Sequence, residues 1–236
     1  MPQESHKKVG AIIVAGGKGR RLKSPVSKQY IEIAGKPILR HTLEKFQACR
    51  QVDEIVVVLP ASDVDRLKST IDWEWKLTKV KHVVAGGQER YHSVWAGLQK
   101  LSENVEVVLI HDGVRPFVTQ RMIKESIRAA RQHGAAIVGV TPKDTIKTIA
   151  DETIKRTLDR DTLILVQTPQ TFRREIIVSA YRQAFADNQF ATDDAALVER
   201  IGVSVRIVQG EYSNIKITSL DDLIFASALM ERGEAP

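Results

Sequence analysis

The sequence of 236 residues has a single cysteine, few aromatic side chains and no long hydrophobic run. Because Cys49 is alone, an internal disulfide and a cysteine metal cluster are excluded, and its apolar neighbours predict a buried structural thiol. The uncharged apolar stretches are far too short to span a bilayer, and the N-terminal residues MPQESHKK lack the apolar region of a signal peptide. We therefore expect a cytoplasmic protein with no membrane partner.

The composition also argues against a nucleic-acid partner. The net charge of +6 would suit a polyanion, but the cations are spread along the chain and aromatic residues make up only 6% of it. Nucleic-acid surfaces combine a basic stripe with aromatic side chains, and the sequence has neither pattern. No repeat, low-complexity segment or linker divides the chain, so residues 1–236 are predicted to form a single domain. Small anionic molecules are the expected substrates.

Apolar runs typical of buried parallel strands alternate with helical patterns along most of the chain. The predicted strands are 9–15, 54–60, 80–85, 105–111, 135–141 and 203–209. The predicted helices are 38–48, 61–71, 90–101, 119–133, 173–188 and 192–201. This order predicts an α/β protein with a doubly wound, mostly parallel sheet. Ligands of such sheets bind beyond the carboxyl ends of the strands, so the loops after the first, third and fourth predicted strands should converge on one rim.

One segment breaks this alternation. Residues 144–149 and 153–158 alternate polar and apolar side chains around a polar turn, which predicts a β-hairpin within an arm at about 142–166. An isolated two-stranded hairpin is marginally stable in water, so the arm should pack on a partner surface. The same arm of a second subunit would give a two-fold homodimer, and an arm folded back on its own domain is the alternative.

The loop after the first predicted strand, residues 15–28, reads AGGKGRRLKSPVSK. Glycines lack Cβ, so backbone N–H groups can approach phosphate oxygens closely here, while the arginines and lysines can neutralise a polyanion. The loop is not a dinucleotide fingerprint, because Leu22 stands at the third glycine position, nor a Walker loop, because Lys18 is followed by Gly19. A solvated basic turn is the alternative. The density of arginine beside the glycines favours a triphosphate.

A series of short strings runs in order from residue 15 to residue 218: AGGKGRRL with KQY, GGQERYHSV, HDGVRP, DTIK, LDR, QTPQ, TDDA and NIKIT. In this order and spacing they resemble the 2-C-methyl-D-erythritol 4-phosphate cytidylyltransferase family. The resemblance implies a Rossmann-like nucleotidyltransferase fold with a protruding β-hairpin dimerisation arm. It also implies transfer of CMP from CTP to a polyol phosphate, with release of pyrophosphate, in the non-mevalonate isoprenoid pathway. Such a transfer needs fixed cations and Mg²⁺ rather than a protein nucleophile.

The resemblance further implies roles for individual residues. Arg21 and Lys28 would stabilise the transition state and the pyrophosphate, and Arg160 and Lys216 would orient the acceptor phosphate. Asp112 would bind the metal and the acceptor, or would simply pair with Arg115. The residues implied to bind CTP are Ala15, Gly16, Gly17, Gly19, Gly87, Gln88, Ser93 and Asp112. Those implied to bind the acceptor are Asp112, Arg115, Thr145, Arg160, Thr168 and Lys216.

Other polar residues receive structural interpretations. His111 is expected to support the loop after its strand rather than to bind zinc. Asp193 and Asp194 are expected to serve a helix N-terminus rather than a metal. Because Thr145 and Arg160 lie on or next to the predicted hairpin, they would act on the neighbouring subunit's site.

The sequence departs from the family pattern at Gly16, at Gly113-Val114 and at Ile164. These positions lie in the region that separates this family from its sibling, ribitol 5-phosphate cytidylyltransferase, which therefore stays an alternative. The string LDRDTL at 158–163 favours methylerythritol phosphate as the acceptor. A catalytically silent nucleotide-binding module on the same fold is a second alternative, since a fold does not prove chemistry.

Overall fold

The computed structural model describes residues 7–17 and 27–232 of the chain. The strands in these residues are β1 Lys8–Val14, β2 Glu32–Ile33, β3 Lys36–Pro37, β4 Glu54–Leu59, β5 Val80–Ala85, β6 Val105–Asp112, β7 Ala135–Val140, β8 Lys147–Ala150, β9 Thr153–Thr157, β10 Leu165–Arg173 and β11 Arg206–Gln209. The α-helices are α1 Ile38–Ala48, α2 Val64–Thr70, α3 Arg90–Leu98, α4 Gln120–His133, α5 Arg174–Asp187, α6 Asp194–Arg200 and α7 Leu220–Glu231.

Seven strands form the main sheet, in the order β11-β7-β10-β6-β1-β4-β5. The pairs β1–β4, β1–β6, β4–β5 and β7–β11 are parallel, whereas β10 runs antiparallel to both of its neighbours. Every residue of β4 and of β7 is buried, as expected for parallel strands that are covered on both faces. The predicted doubly wound, mostly parallel sheet is confirmed.

Helices cover both faces of this sheet. Successive β1 residues point to opposite sides, Ile13 into a cluster with Phe46 of α1 and Ile12 into a cluster with Val94 of α3. The first cluster also takes side chains from α2 and α4, and the second takes side chains from α5 and α6. A third, smaller cluster joins α7 to the segment that follows β6. Cys49 is fully buried in the first cluster, in agreement with the sequence analysis.

The helix α4 shows how local sequence sets these boundaries. The hydroxyl of Thr119 accepts a hydrogen bond from the backbone N–H of Met122 at 3.2 Å and so caps the N-terminus. Gly134 ends the helix at a φ of 93°, a conformation that favours glycine. Between these caps the buried residues Met122, Ile123, Ser126, Ile127 and Ala130 form one face, as the 3.6-residue period requires.

Four elements were not predicted from the sequence, namely the two-residue strands β2 and β3, the strand β10 and the helix α7. The strand β10 contains Pro169 among polar residues, a composition that argues against a central strand. Its pairing with β7 is interrupted between Val166 and Gln170, which leaves Pro169 outside the ladder. The apolar residues of helix α7 are spread around the helix and so give no clear amphipathic signal, although Ser219 and Asp222 form a capping box at its start.

Smaller differences concern the ends of elements. The predicted helix 61–71 is a 3₁₀ turn at Ala61–Asp63, then α2, then a π-helical turn at Ile71–Trp75. The last predicted strand begins at Arg206 rather than at residue 203. In the segment predicted to be a hairpin, β8 and β9 pair antiparallel as a separate two-stranded sheet. None of the helices among the described residues is both long enough and apolar enough to cross a bilayer.

The central position of β10 generates a stability prediction. Phe172 of this strand is completely buried, so Phe172→Ala should lower the free energy of unfolding by about 3–5 kcal/mol through lost burial and a cavity. Leu165 of the same strand is 47% exposed, and Leu165→Ala should change it by only about 0.5 kcal/mol. Urea unfolding of both variants measures the difference. Equal effects would contradict a buried, central β10.

Candidate active site

A cleft of about 190 Å³ opens at the carboxyl ends of β1 and β6, next to the start of α3. It brings together many of the residues singled out from the sequence. These are Ala15, Gly16, Gly17, Lys28, Gly87, Gln88, Ser93, Asp112 and Lys216. Segments that are up to about 200 residues apart in the chain therefore meet at one rim, as predicted for a sheet of this kind.

Backbone hydrogen bonds fix the floor of the cleft. The chain leaves β1 with the Ala15 N–H donating to the Val58 carbonyl at 2.8 Å. The Gly113 N–H donates to the Val14 carbonyl at 2.8 Å, and the Gly86 N–H donates to the Leu59 carbonyl at 2.7 Å. The loops after β1, β5 and β6 thus leave the sheet next to one another. Backbone hydrogen bonds alone fix the distances between their first residues.

Short distances explain Gly86 and locate Lys28 beside Gly17. A Cβ atom at Gly86 would lie 2.5 Å from the Ser93 hydroxyl oxygen, so only glycine lets α3 approach this loop. A Cβ atom at Gly17 would lie 3.8 Å from the Lys28 ammonium nitrogen, which places this cation directly over the glycine backbone. Bare backbone, a hydroxyl and a positive charge therefore line the same wall of the cleft.

Three cations of the described residues contact Asp112 at the end of β6. Its Oδ2 atom lies 3.2 Å from Arg115 Nε and 3.1 Å from Lys216 Nζ. Its Oδ1 atom lies 3.9 Å from Arg90 Nε. Burial by itself would raise the pKa of this carboxyl, but the three positive charges, that of Lys216 foremost, outweigh burial and hold the pKa well below its ordinary value. Asp112 is therefore a carboxylate at any physiological pH.

His111 holds the backbone beneath Asp112. Its Nε2 atom lies 3.1 Å from the Arg115 carbonyl oxygen, which can only accept, so Nε2 carries the proton. Its Nδ1 atom then accepts from the Thr168 hydroxyl at 3.0 Å, and that hydroxyl oxygen accepts from the Asp112 N–H at 3.2 Å. The expectation that His111 supports its loop agrees with these contacts. Thr168 contacts the same loop, and no metal cluster of three or more His, Cys, Asp or Glu side chains is found in the described part of the chain.

The loop that carries Lys216 is fixed on both sides of this residue. The Asn214 side-chain amide donates to the Thr168 carbonyl at 3.0 Å, and the Asn214 carbonyl accepts from Arg115 Nη1 at 2.8 Å. One residue after Lys216, the Ile217 N–H donates to the Val114 carbonyl at 2.9 Å. These hydrogen bonds attach the loop to the segment after β6. They hold the backbone of Lys216 within reach of Asp112.

Arg90, at the start of α3, joins Asp112 to a second carboxylate. Its Nη2 atom donates to Asp194 Oδ2 at 2.6 Å, and Asp194 Oδ1 accepts from the Tyr181 hydroxyl at 2.6 Å. Asp193 accepts from the Ala196 N–H at 3.0 Å and caps α6, in agreement with the sequence interpretation. Asp194 does more than the sequence suggested, because it is fully buried and pairs with Arg90.

Some predicted site residues lie elsewhere. Thr145 and Arg160 are exposed beside the β8–β9 hairpin and do not line the cleft, and Arg160 Nη1 donates to the Lys143 carbonyl at 3.2 Å. Gly19 and Arg21 lie outside the described residues. The predicted action of Thr145 and Arg160 on a neighbouring subunit stays a prediction.

Comparison with known proteins identifies the family. The model of the family described as IspD, 2-C-methyl-D-erythritol 4-phosphate cytidylyltransferase, matches residues 9–232. The chain belongs to this family. It is 48% identical over 228 residues to the 2-C-methyl-D-erythritol 4-phosphate cytidylyltransferase of Syntrophus aciditrophicus (strain SB), covering 96% of this chain and 97% of the relative. For the protein of the same name from Clostridioides difficile (strain 630), the identity is 45%, covering 93% of this chain and 92% of the relative.

Solved structures of the family share the fold. The crystal structure of 4-diphosphocytidyl-2C-methyl-D-erythritol synthase from Anaerococcus prevotii DSM 20548 superposes with a TM-score of 0.85 at 36% identity, covering 96% of this chain and 97% of that one. The 2-C-methyl-D-erythritol 4-phosphate cytidylyltransferase of Thermus thermophilus superposes with a TM-score of 0.77 at 30% identity, covering 95% and 99%. The predicted Rossmann-like nucleotidyltransferase fold is confirmed.

The sequence analysis missed Arg90, which lines the cleft, and missed that Asp194 pairs with it. Arg90 stands inside the string GGQERYHSV and Asp194 inside TDDA, but the chain separates them by 104 residues. Nothing in either string says that the start of α3 meets the start of α6. One signal could have indicated Arg90, because an arginine next to a glycine-rich turn had already been used at residues 15–28 to predict phosphate binding.

Burial of His111 predicts a pH-dependent stability. Burial lowers its pKa to about 4 from an ordinary value of 6.5, although the hydrogen bond to the Arg115 carbonyl opposes the change. Between these values the unfolded chain binds more protons than the native one, so the free energy of unfolding must decrease as the pH falls. The contribution of the neutral His111 to the free energy of unfolding is complete above about pH 6.5 and is lost towards pH 4. At about 1.4 kcal/mol per pH unit, the free energy of unfolding should change by about 3 kcal/mol over this range.

Urea unfolding between these pH values tests this effect. The stability of His111→Gln should depend less steeply on pH than that of the wild type, whereas His82→Gln, which changes an exposed histidine, should keep the wild-type slope. Parallel pH profiles for the wild type and His111→Gln would contradict a buried neutral imidazole.

Proposed function

We propose that this chain transfers CMP from CTP to 2-C-methyl-D-erythritol 4-phosphate, giving 4-diphosphocytidyl-2-C-methyl-D-erythritol and pyrophosphate. Membership of the family supports this assignment. The observation that carries it is the cleft itself, in which the bare backbone of Gly16 and Gly17 faces the cations Lys28 and Lys216. Such a cleft suits two phosphate-bearing molecules that repel each other in water.

The reaction needs positioning and charge stabilisation. A phosphate oxygen of the acceptor attacks the α-phosphorus of CTP, and the bond to the β-phosphate oxygen breaks as pyrophosphate leaves. Arg21 and Lys28 bind the triphosphate and stabilise the negative charge that grows on the leaving group. Lys216 and Arg115, both beside Asp112, bind the acceptor phosphate and orient its attacking oxygen.

The segment before and within α3 reads the base. Gly86 and Gly87 let α3 pack closely on this loop, so the buried Ser93 hydroxyl lies on the same wall of the cleft as the Gly87 backbone. The Ser93 hydroxyl donates weakly to the Glu89 carbonyl at 3.3 Å, so its oxygen keeps acceptor capacity. A hydroxyl acceptor together with backbone groups can distinguish the amino edge of cytosine from the carbonyl edge of uracil.

The donor set also fits Mg²⁺ shared with the substrate. Among the described residues, two cations contact Asp112 Oδ2, whereas Oδ1 has only Arg90 at 3.9 Å and keeps lone pairs for a metal. A single carboxylate is too little to enclose Mg²⁺, but the ion commonly takes one or two carboxylates together with phosphate oxygens and water. When bound, it would neutralise charge on the phosphates. Asp112 holds its side of that arrangement through the contacts described above.

The hairpin of β8 and β9 is the proposed dimer contact. Ile149 and Ile154 face each other across the two strands and are 72% and 59% exposed in the single chain. Such a pair would be buried by the same hairpin of a second subunit. Thr145 and Arg160 lie next to this hairpin, so a homodimer would carry them towards the partner's cleft.

Both substrates are multiply charged and do not cross membranes unaided, which supports a cytoplasmic location.

A pyrophosphate-release assay tests the activity. With CTP, Mg²⁺ and methylerythritol phosphate we expect release that depends on both substrates, and much less release with ribitol 5-phosphate. Lys216→Ala should lower kcat by about 10²–10³-fold, because it removes a charge that stabilises the transition state. Lys36→Ala is a matched control, since Lys36 is similarly exposed (41% against 37%) and pairs with Glu44 at 2.9 Å.

The outcomes separate the alternatives. Greater release with ribitol 5-phosphate would reassign the acceptor. No release with either acceptor, from a chain that still binds CTP, would indicate a silent nucleotide-binding module.

Complementation tests the shared site. Arg160→Ala and Lys28→Ala should each inactivate the enzyme, but in a mixed dimer one cleft would have both intact residues and regain part of the activity. The two variants are co-expressed with different tags, and the mixed dimer is isolated and assayed. Each variant paired with itself is the control. A mixed dimer that forms but stays inactive would show that Arg160 does not serve the partner's cleft.

A further inference from the structure

Two buried amide side chains join β10 to the loop that carries Lys216. Gln167 of β10 donates from Nε2 to the Glu211 carbonyl at 2.8 Å, and its Oε1 accepts from Asn214 Nδ2 at 3.1 Å. Asn214 Nδ2 also donates to the Thr168 carbonyl at 3.0 Å. We call Gln167 and Asn214 the amide clamp. The clamp attaches both ends of the turn 211–214 to one strand.

The clamp depends on a close fit. Gln167 is 7% exposed and Asn214 is fully buried. A Cβ atom at Gly210 would lie 2.5 Å from Gln167 Oε1, so the absence of a side chain lets the loop come close enough. The Gly210 N–H donates to the Gly139 carbonyl at 2.8 Å, which holds the start of the loop against β7. The amide of Gln167 therefore meets the loop at a defined position.

The clamp leaves one buried oxygen unpaired. Because Gln167 donates through Nε2, its Oε1 faces Asn214, and the Asn214 amide turns its N–H groups towards two acceptors. Asn214 Oδ1 is then buried with no hydrogen-bond partner among the described residues. A buried acceptor without a partner lowers the stability of the fold. Stability alone therefore does not account for the arrangement.

The clamp controls the backbone that leads to Lys216. The Lys216 side chain is 37% exposed, and its Nζ atom lies 3.1 Å from Asp112 Oδ2. A partly exposed ion pair contributes little and cannot by itself hold a long, flexible side chain in one place. Two residues before Lys216, the Asn214 carbonyl accepts from Arg115 Nη1 at 2.8 Å. Displacing Asn214 would therefore disturb two of the cations at Asp112.

We propose that the amide clamp places the Lys216 ammonium at Asp112, and that Gln167 and Asn214 are thereby positioning residues for the acceptor phosphate. The second part rests on the proposed function. Neither Gln167 nor Asn214 is among the residues that line the cleft, so both act through Lys216 rather than on the substrate. Displacing a reacting or stabilising group by about 1 Å can lower a rate by about 10²-fold, so the placement of this charge matters.

Chemical labelling of lysines tests the first part without substrates. Gln167→Met keeps the length of the side chain but removes its hydrogen bonds to the loop. Acetic anhydride should acetylate Lys216 about two- to fivefold faster in this variant, the factor that corresponds to losing a partly exposed ion pair, and mass spectrometry measures the rate. Lys36 is the internal reference, because it is 41% exposed and pairs with Glu44 at 2.9 Å. An unchanged rate at Lys216 would overturn the proposal.

Steady-state kinetics with CTP and methylerythritol phosphate test the second part. Gln167→Met and Asn214→Ala should lower kcat/KM for the acceptor by about 10–10²-fold and leave the KM for CTP unchanged. Thr171→Val is the matched control, because Thr171 is fully buried on the same strand and donates to the Ser126 hydroxyl at 2.9 Å. This control should lower Tm but keep wild-type kinetics and labelling. Faster labelling of Lys216 with wild-type kinetics would overturn the positioning role.

A double variant tests whether the clamp acts through Lys216. In a Lys216→Ala background, Gln167→Met should lower kcat/KM for the acceptor by less than about twofold. Effects that multiply would indicate a general weakening of β10 and would overturn the proposal. If Gln167→Met does not fold, Gln167→Glu replaces it. This variant keeps the acceptor for Asn214 and loses the donor to Glu211, so it should show the same changes to a smaller extent, and wild-type labelling would contradict the clamp.

Failure of the proposed function would give a different result. A wild-type chain that releases no pyrophosphate with either acceptor would refute the proposed function, and with it the acceptor role of the clamp. The labelling rates would still decide whether the clamp places Lys216, because they require no substrate.

Discussion

The carboxylate of Asp112 is the interaction on which the rest of the site depends. Without it, Arg90, Arg115 and Lys216 would repel one another at the end of β6, and no apolar packing would hold three cations at such distances. Together with Asp194 it sets two negative charges against three positive ones, so the cluster keeps one net positive charge. That excess favours anions, while the carboxylates keep each cation in place before any anion arrives.

The unpredicted strand β10 carries most of the connections that hold this cluster. Gln167 donates to the Glu211 carbonyl at 2.8 Å and accepts from Asn214 at 3.1 Å, which fixes the loop of Lys216. Thr168 binds the end of β6, and Gln170 binds the start of α6. The string QTPQ is thus a structural centre that joins three parts of the cleft through hydrogen bonds to backbone and side-chain groups.

The features that could be predicted from the sequence are those set by local interactions, and the features that could not be predicted depend on contacts between distant parts of the chain. The parallel strands and most helices were predictable because their signals are local, namely continuous apolar runs and caps such as Thr119. The glycines and Lys28 were predictable because they follow strand ends, whose meeting place is set by topology, whereas Lys216 was implied by the family resemblance. The strand β10 and the Arg90–Asp194 pair were not, because polar side chains buried by long-range partners look like loop residues until those partners are known.

The cleft can be both rigid and charged because its cations are held by carboxylates that are themselves held by hydrogen bonds. A buried cation is tolerated only when its partner carboxylate is itself held, as the Asp112 backbone is held by Thr168 and that of Asp194 by Gln170. Backbone and amide contacts therefore fix the carboxylates, the carboxylates fix the cations, and the cations are left facing the cleft. A phosphate that enters exchanges water for donors that are already in position, so little reorganisation remains for the chemical step.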